Sequence, residues 1–279
     1  MSFKDILAVV LTAREDEAAI RAAEIVAAKG DAHVSVAFLT PLPDEPLAYE
    51  PSVVAGVWAE LLTRARADAQ AEREKVEKRL AREGRPADLR IGEALARDLG
   101  RVAAVHARYA DLAVMTRPSE DGGDGRHDLI EGVLFYSGRP ALIVPPGWKG
   151  DTIGAKPLIA WDASREATRA LSEAYDLIED APLTRVMTID AKAKAFGHGE
   201  SPGANIAAHL ERRGVKTEVR NVDGAGKPPA AVILDEAMAY GADLVVMGGY
   251  AHARIRQYMF GGATRDMLEK ANLPVLMAH

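Results

Sequence analysis

The chain repeats one unit twice, and this repeat constrains the fold more than any other feature of its 279 residues. Three short apolar segments recur in the same order, with offsets of 152, 132 and 134 residues between the copies. The matched segments begin at Lys4 and Lys156, at Tyr109 and Gly241, and at Gly138 and Asn272. Since ordered self-similarity marks a repeated structural unit, we expect two tandem domains, residues 1–146 and 151–279. The predicted linker lies between them, because its Pro-Pro pair and glycines do not fit regular structure.

Within each copy, short apolar runs rich in β-formers alternate with segments of helical periodicity, a pattern typical of βαβ units and a parallel sheet. The pattern predicts two doubly wound α/β domains of Rossmann-like type, each with a parallel five-stranded sheet. The predicted strands are 4–11, 32–39, 87–92, 111–116 and 140–145 in the first copy, and 156–161, 184–190, 216–222, 243–248 and 274–278 in the second.

The first copy is longer than the second by about 20 residues, since the offset falls from 152 to 132. Residues 52–83 hold the extra length and keep apolar residues at helical spacing, so they predict one long amphipathic helix. Gly84 is placed to end it. The charged face of this helix is expected to face solvent.

Composition excludes several classes of protein. A net charge of −6 and a pI of about 5.7 argue against a partner with a nucleic-acid backbone, which attracts basic surfaces. The absence of cysteine excludes thiol catalysis and disulfides and fits a reducing compartment. No apolar run approaches the length of about 18 residues that a membrane span needs. We therefore expect a cytoplasmic protein that binds neither nucleic acid nor membrane.

A glycine-rich basic loop follows the fourth strand of the second copy and leads into a helix. Gly248, Gly249, Gly261 and Gly262 bracket it, and Thr264 follows. Glycine lets backbone approach a ligand, and amides at a helix N-terminus point at anions. Arginines 254, 256 and 265 could neutralise phosphate charge. The loop thus has the chemistry of a phosphate cradle, although it matches neither a Walker loop nor a dinucleotide fingerprint.

The spacing of this loop resembles the nucleotide signature of the universal stress proteins, Gly-x2-Gly-x9-Gly followed by Ser or Thr. Gly248 and Gly261 take the places of the first and third glycines, whereas Ala251 replaces the middle one. Gly262 stands where the hydroxyl residue is expected, and the hydroxyl is displaced to Thr264. The resemblance covers both copies and implies a tandem protein with an adenine nucleotide alpha hydrolase-like fold. It further implies ATP, or AMP or ADP, bound with Mg²⁺ or Mn²⁺.

The resemblance also implies the other residues of the site. An acidic residue at the end of the first strand would approach the ribose or the metal, and Asp162 occupies that place. The backbone contact to adenine would fall at Ile189. The full predicted nucleotide site comprises Ala160, Trp161, Asp162, Ile189, Gly248, Ala251, His252, Arg254, Gly261, Gly262, Ala263 and Thr264. The first copy lacks the glycines and has an acidic Asp128 near the cradle, so its site is expected to be degenerate.

Each of these residues also has a simpler interpretation. The glycine cluster could be a plain turn, Asp162 a helix N-cap, and Trp161 a packing residue at a strand end. His252 and the arginines could form a solvated surface loop. No catalytic motif is present. The leading hypothesis is a regulatory protein that binds a nucleotide in its second domain, and the alternatives are a partner-docking module or a slow ATPase.

The last strands of the two copies are short and apolar and invite strand pairing. Because the family commonly dimerises through this strand, the resemblance implies an internal pseudo-dimer of the two domains and allows a homodimer. The sequence predicts contact between 141–144 and 275–277.

Overall fold

The computed structural model describes residues 3–44, 51–82, 88–119, 125–193, 197–250 and 262–279, with the backbone alone for 51–55. The described chain divides into two compact units, one formed by Lys4–Arg139 and the other containing Pro140–His279. Each unit alternates strands with helices, and its sheet is mainly parallel. The α/β fold class predicted from the sequence is confirmed, and all ten predicted strands are present.

The unit Lys4–Arg139 is a parallel sheet of four strands in the order β3-β2-β1-β4. Its central strands are buried on both faces, as expected where helices cover a parallel sheet. Its elements in chain order are β1 (Asp5–Val10), α1 (Glu17–Gly30), β2 (His33–Leu42), α2 (Pro51–Arg82), β3 (Asp88–Leu95), a 3₁₀ turn (Ala96–Asp98), α3 (Leu99–Ala107), β4 (Leu112–Thr116) and α4 (Arg126–Tyr136).

The unit Pro140–His279 holds six strands in the order β5-β10-β9-β6-β7-β8. All neighbours are parallel except the β5–β10 pair. Its elements are β5 (Ala141–Val144), β6 (Pro157–Ala160), α5 (Arg165–Ile178), β7 (Thr184–Ile189), α6 (Ala204–Arg212), β8 (Thr217–Val222), α7 (Pro229–Tyr240), β9 (Leu244–Gly248), α8 (Gly262–Lys270) and β10 (Val275–Ala278).

The last strands of the two repeats pair with each other, as predicted. β5 runs antiparallel to β10, with Leu142 opposite Leu276 and Ile143 opposite Val275. β5 therefore packs in the unit that begins at Pro140, and the first unit has four strands instead of the predicted five. The segment from Pro145 to Gly150 contains neither helix nor strand. The domain ranges 1–146 and 151–279 stay a prediction.

The long helix was predicted over 52–83 and is observed as α2, Pro51–Arg82, while Gly84 lies outside the described residues. Its cationic side chains tie it to α1, because Arg79 is paired with Glu17 and Glu24. Val76 and Leu80 are buried beside this ion cluster. Most of the remaining helix surface is exposed, in agreement with the solvated face expected from the sequence.

Candidate functional site

Strand order reverses at one point in the unit Pro140–His279. From β6 the chain proceeds to β7 and β8 on one side, whereas β9 and β10 lie on the other side of β6. Open α/β sheets bind ligands beyond the carboxyl ends of the strands at such a switch point. The residues that follow β6 and β9 are therefore the first candidates for a site.

The turn after β6 brings three predicted residues to this place. Ala160 ends the strand, and the Trp161 N–H donates to the Met187 carbonyl at 2.8 Å, which keeps the backbone aligned with β7. Asp162 is exposed, and its Oδ1 accepts a hydrogen bond from the Ser164 N–H at 3.0 Å. No cation pairs with Asp162 among the residues that the structure describes.

The helix cap at this turn is Ser164, not Asp162. The Ser164 hydroxyl accepts from the Ala167 N–H at 3.0 Å, which is the N-cap geometry of α5. The alternative interpretation of Asp162 as the cap is therefore wrong. Asp162 instead closes a tight turn in which Ala163 has a φ of +61°. Its carboxylate is positioned by this turn and stays accessible to solvent.

A cavity of about 320 Å³ opens beside this turn. Trp161 and Ala163 form one wall, Thr168 of α5 contributes to it, and the loop 197–203 with the first two turns of α6 forms the rest. Its volume lies at the lower end of the range for small-molecule sites. The predicted residues Ala160 and Ile189 do not line it, although Ile189 ends the neighbouring strand β7.

The cavity wall contains a buried polar atom without a partner. His198 Nδ1 is shielded from solvent, and no hydrogen bond reaches it from any described residue. A buried polar group that lacks a protein partner marks a place for a ligand or an ordered water. This loop was not among the residues predicted from the sequence, although its three glycines within seven residues, 197, 199 and 203, are a signal for close approach of backbone.

Gly248 ends β9 at a point of very close packing. A Cβ atom built there would lie 2.6 Å from the Ala167 nitrogen and 2.9 Å from the Glu166 Cβ, both in the first turn of α5. A glycine is therefore required by the contact between β9 and α5, whatever ligand binds. This contact places the N-terminus of α5 directly against the end of β9.

A hydrogen bond to the Thr264 hydroxyl connects the residues after β9 with α8. The Tyr250 N–H donates to Thr264 Oγ1 at 3.1 Å, and both residues are buried. Thr264 thus positions the beginning of α8 relative to the end of the strand. Gly262 and Ala263 form the start of α8, and a Cβ on Gly262 would meet no atom within 4 Å.

Four predicted site residues lie outside the described residues. They are Ala251, His252, Arg254 and Gly261. Of the predicted residues that are described, the structure brings those after β6 and those after β9 to the same switch point. The role of each as a nucleotide contact stays a prediction.

Backbone strain is concentrated at the strand ends of this unit. Ala163, Asp190, Ala225 and Tyr250 have φ values between +47° and +61°, and they follow β6, β7, β8 and β9 respectively by no more than three residues. Non-glycine residues in this region are uncommon and cluster at functional sites. In the described part of the unit Lys4–Arg139, Asp31 alone among non-glycine residues has positive φ, and it caps the end of α1.

One buried carboxylate lies in the first turn of α5. Burial raises the pKa of Glu166, but hydrogen bonds from the Arg165 guanidinium and from its own backbone N–H outweigh this effect. The charges of Arg165 and His279 act in the same direction. The resulting pKa is below its ordinary value of 4.5, so Glu166 is ionised at neutral pH. Its charge is matched by Arg165, with the guanidinium Nη2 2.8 Å from Glu166 Oε1.

At the switch point of the unit Lys4–Arg139, the described residues enclose a small crevice. The crevice between β1 and β4 holds about 10 Å³, and its lining includes Leu11, Asp16, Thr116 and Arg126. This is about the space of one water probe, far below that of a phosphate. This crevice lies between β1 and β4, whereas the larger cavity of the other unit lies between the turn after β6 and the residues that follow β7.

Within the described residues, no group of three or more His, Asp and Glu side chains is arranged to hold a metal ion. None of the helices described is long and apolar enough to cross a membrane.

Residues 156–279 match the sequence profile of the universal stress protein family. The universal stress protein Slr1230 of Synechocystis sp. (strain Kazusa) is 30% identical over 149 residues, which are 53% of this chain and 49% of that relative. The chain therefore spans about half the length of this curated relative.

Among solved structures, a universal stress protein from Archaeoglobus fulgidus matches all of this chain and 96% of its own, with a TM-score of 0.69 and 15% identity. This likeness confirms the fold over both units. A universal stress protein in complex with cAMP is 18% identical and covers 52% of this chain and 98% of its own. At a TM-score of 0.29 the latter likeness carries no argument about the ligand of this chain.

Proposed function

We propose that this chain, whose residues 156–279 match the universal stress protein family, is a stress-response protein that binds ATP or another adenine nucleotide in its C-terminal unit. The observation that carries the proposal is the cavity of about 320 Å³ beyond the carboxyl ends of β6 and β7, between the turn after β6 and the loop 197–203 with α6. The orphaned His198 Nδ1 in its wall supports a ligand there.

The nucleotide would extend from this cavity toward the end of β9. The cavity, with Trp161 and His198 in its wall, suits an aromatic base, which is flat and carries hydrogen-bonding atoms. The phosphates would then approach the start of α8, whose backbone amides favour anions. The glycine-rich segment between β9 and α8 is included in this proposal because of its sequence alone.

A divalent cation fits this arrangement through Asp162. The Asp162 carboxylate is exposed, fixed by the Ser164 N–H and without a cation partner among the described residues. Mg²⁺ is usually held by one or two carboxylates together with phosphate oxygens and water, so it does not need a group of protein ligands. Asp162 would hold Mg²⁺ or Mn²⁺, which would neutralise charge on the phosphates.

The proposed output is regulatory, through a change of conformation or association in the cytoplasm. The tandem arrangement implies an internal pseudo-dimer, consistent with the β5–β10 pair, and leaves room for a homodimer. We propose one nucleotide per chain, because the glycines, Asp162 and the cavity all belong to the second repeat.

Two measurements test the proposal. Chromatography of the small molecules released on denaturation should give an adenine nucleotide, and equilibrium dialysis with labelled ATP should give about one site per chain. Trp161→Ala should weaken binding, since Trp161 forms a wall of the cavity. Trp148→Ala is the matched control, because Trp148 belongs to the same unit but does not line the cavity.

The outcomes separate the alternatives. No copurified nucleotide and no binding would favour a partner-docking module. Steady phosphate release that is lost in Trp161→Ala but kept in Trp148→Ala would indicate a slow ATPase. Two equivalent sites per chain would contradict the asymmetric assignment.

A further inference from the structure

The crevice at the switch point of the unit Lys4–Arg139 is filled by an ion pair. Arg126 makes a bidentate contact, in which Nη2 donates to Asp16 Oδ2 at 2.9 Å and Nε donates to Oδ1 at 3.3 Å, and Nη2 also lies 2.8 Å from Oδ1. Both side chains are almost fully buried, at 5% and 1% exposure. Asp16 Oδ2 also accepts hydrogen bonds from the backbone N–H groups of Leu11 at 2.8 Å and Thr12 at 2.9 Å. The carboxylate is thus held by two amides and one guanidinium.

These donors are the groups that bind an oxyanion. Leu11 and Thr12 directly follow β1, and Arg126 is the first residue of α4, the helix that follows β4. Strand order reverses between β1 and β4, so the carboxylate lies where an open α/β sheet binds its ligand. Backbone amides and a bidentate guanidinium recognise phosphate and carboxylate with the same geometry. A carboxylate supplied by the chain itself therefore occupies this oxyanion site.

Helix capping does not explain the position of Asp16. Asp16 is the N-cap residue of α1, yet its side chain makes no capping hydrogen bond with that helix. In the second repeat the N-cap of α5 is Ser164, whose hydroxyl caps its own helix. The Asp16 carboxylate instead turns away from its own helix, toward the Leu11 and Thr12 amides and Arg126.

We propose that the N-terminal unit contains a latent binding site for small oxyanions, such as phosphate or sulfate, that Asp16 fills as an internal anion. The Leu11 and Thr12 amides and Arg126 form the site, and the Asp16 carboxylate takes the place of the ligand. The site is therefore occupied when the unit folds, and no bound ligand is needed. The inference is independent of nucleotide binding by the C-terminal unit.

The test removes the internal anion and supplies an external one. In the full chain, Asp16→Ala removes one carboxylate of a buried ion pair, so the melting temperature should fall by about 10 °C. Inorganic phosphate should reverse at least half of this loss in a saturable manner, compared with chloride at equal ionic strength. Hydrogen exchange should show renewed protection of the peptide that holds the Leu11 and Thr12 amides.

Three variants make the result specific. Glu15 also pairs with Arg126, Nη1 to Oε2 at 3.1 Å, so Glu15→Gln is added to prevent this carboxylate from moving into the vacated site. The Asp16→Asn variant fills the same space without a charge. Its melting temperature should be lower than that of the wild type and should not rise when phosphate is added. Adding Arg126→Met to Asp16→Ala should abolish the response. The wild type supplies the baseline for phosphate bound elsewhere.

The proposal is wrong if Asp16→Ala gains no more from phosphate than the wild type does, or if the gain persists with Arg126→Met. Should Asp16→Ala fail to fold, Asp16→Ser replaces it, because serine can cap α1 as Ser164 caps α5. Failure of both variants to fold even with phosphate in the refolding buffer would also overturn it. None of these outcomes bears on whether the wild type binds ATP, so this proposal and the proposed function can fail independently.

Discussion

Replacement of Gly248 by alanine should destabilise the C-terminal unit through one well-defined clash. The added Cβ would lie 2.6 Å from the Ala167 nitrogen, whereas an ordinary contact begins at 3.4 Å. The neighbouring atoms belong to helix backbone, so relief requires α5 to move away from β9 by about 0.8 Å, the difference between these distances. Overpacking of this kind costs about 1–3 kcal/mol. We expect the melting temperature to fall by about 3–10 °C.

Gly262 offers a matched control within the same predicted cradle. A Cβ there would meet nothing within 4 Å, and Gly262 is exposed in the first turn of α8. Gly262→Ala should leave the free energy of unfolding within about 0.5 kcal/mol of the wild type. Both variants are compared by calorimetry and by urea unfolding without nucleotide, so that ligand binding cannot contribute to the difference.

The comparison separates two roles of glycine. If Gly248→Ala melts with the wild type, α5 does not press on the end of β9 as the distances require, and the packing argument is refuted. If Gly262→Ala loses as much stability as Gly248→Ala, the space around the added Cβ does not determine the loss of stability. A shift of the α5 start would also move the turn that holds Trp161, so ATP affinity should fall in Gly248→Ala.

Three further predictions concern single residues. Asp162→Asn should leave the melting temperature unchanged, because the amide oxygen can still accept from Ser164, but it should weaken ATP binding in Mg²⁺ by about 1–3 kcal/mol in calorimetric titration. Ser164→Ala should cost about 1 kcal/mol in urea unfolding through loss of the cap on Ala167. Burial, with the nearby charge of Arg90, lowers the pKa of His106 below 6.5, so the unfolded state takes up a proton more readily than the folded state. Stability should therefore fall as pH drops below about 6.5, and His106→Gln should reduce that slope in melting curves between pH 7.5 and 5.5.

Most strand positions could be predicted from the sequence because the central strands are buried on both faces. Such strands appear as continuous apolar runs, and the observed β1, β4 and β9 each lie within one residue of the predicted ends. β2 and β3 are longer than predicted. Their last three residues pair only with each other, Thr40 with Glu93 through Leu42 with Leu95, and they include a proline and a glutamate that carry no apolar signal.

Candidate site residues that follow from topology could be predicted from the sequence. Those that depend on local geometry were missed. Gly248 and Asp162 were predicted as site residues because ligands bind at the carboxyl ends of strands, and both lie at such strand ends. Asp162 was a possible helix cap in the sequence, but Ser164, two positions later, takes this role in the structure. Ala163 lies between them with a left-handed φ, a conformation that the sequence did not predict. The loop 197–203 was missed because its glycines match no known phosphate signature.

The N-terminal repeat shows how a crevice at the switch point of a sheet can be filled from within the chain. Amides at the end of a first strand need an acceptor once they are buried. In the N-terminal unit Asp16 provides it, and Arg126 compensates the charge that this acceptor brings. In the C-terminal unit the N-cap of α5 is Ser164, whose hydroxyl caps its own helix. The strained residues and the orphaned His198 nitrogen occur in this unit, as expected if its polar groups are completed by a ligand. In the N-terminal unit, by contrast, two residues at helix starts, Asp16 and Arg126, fill the crevice from within the chain.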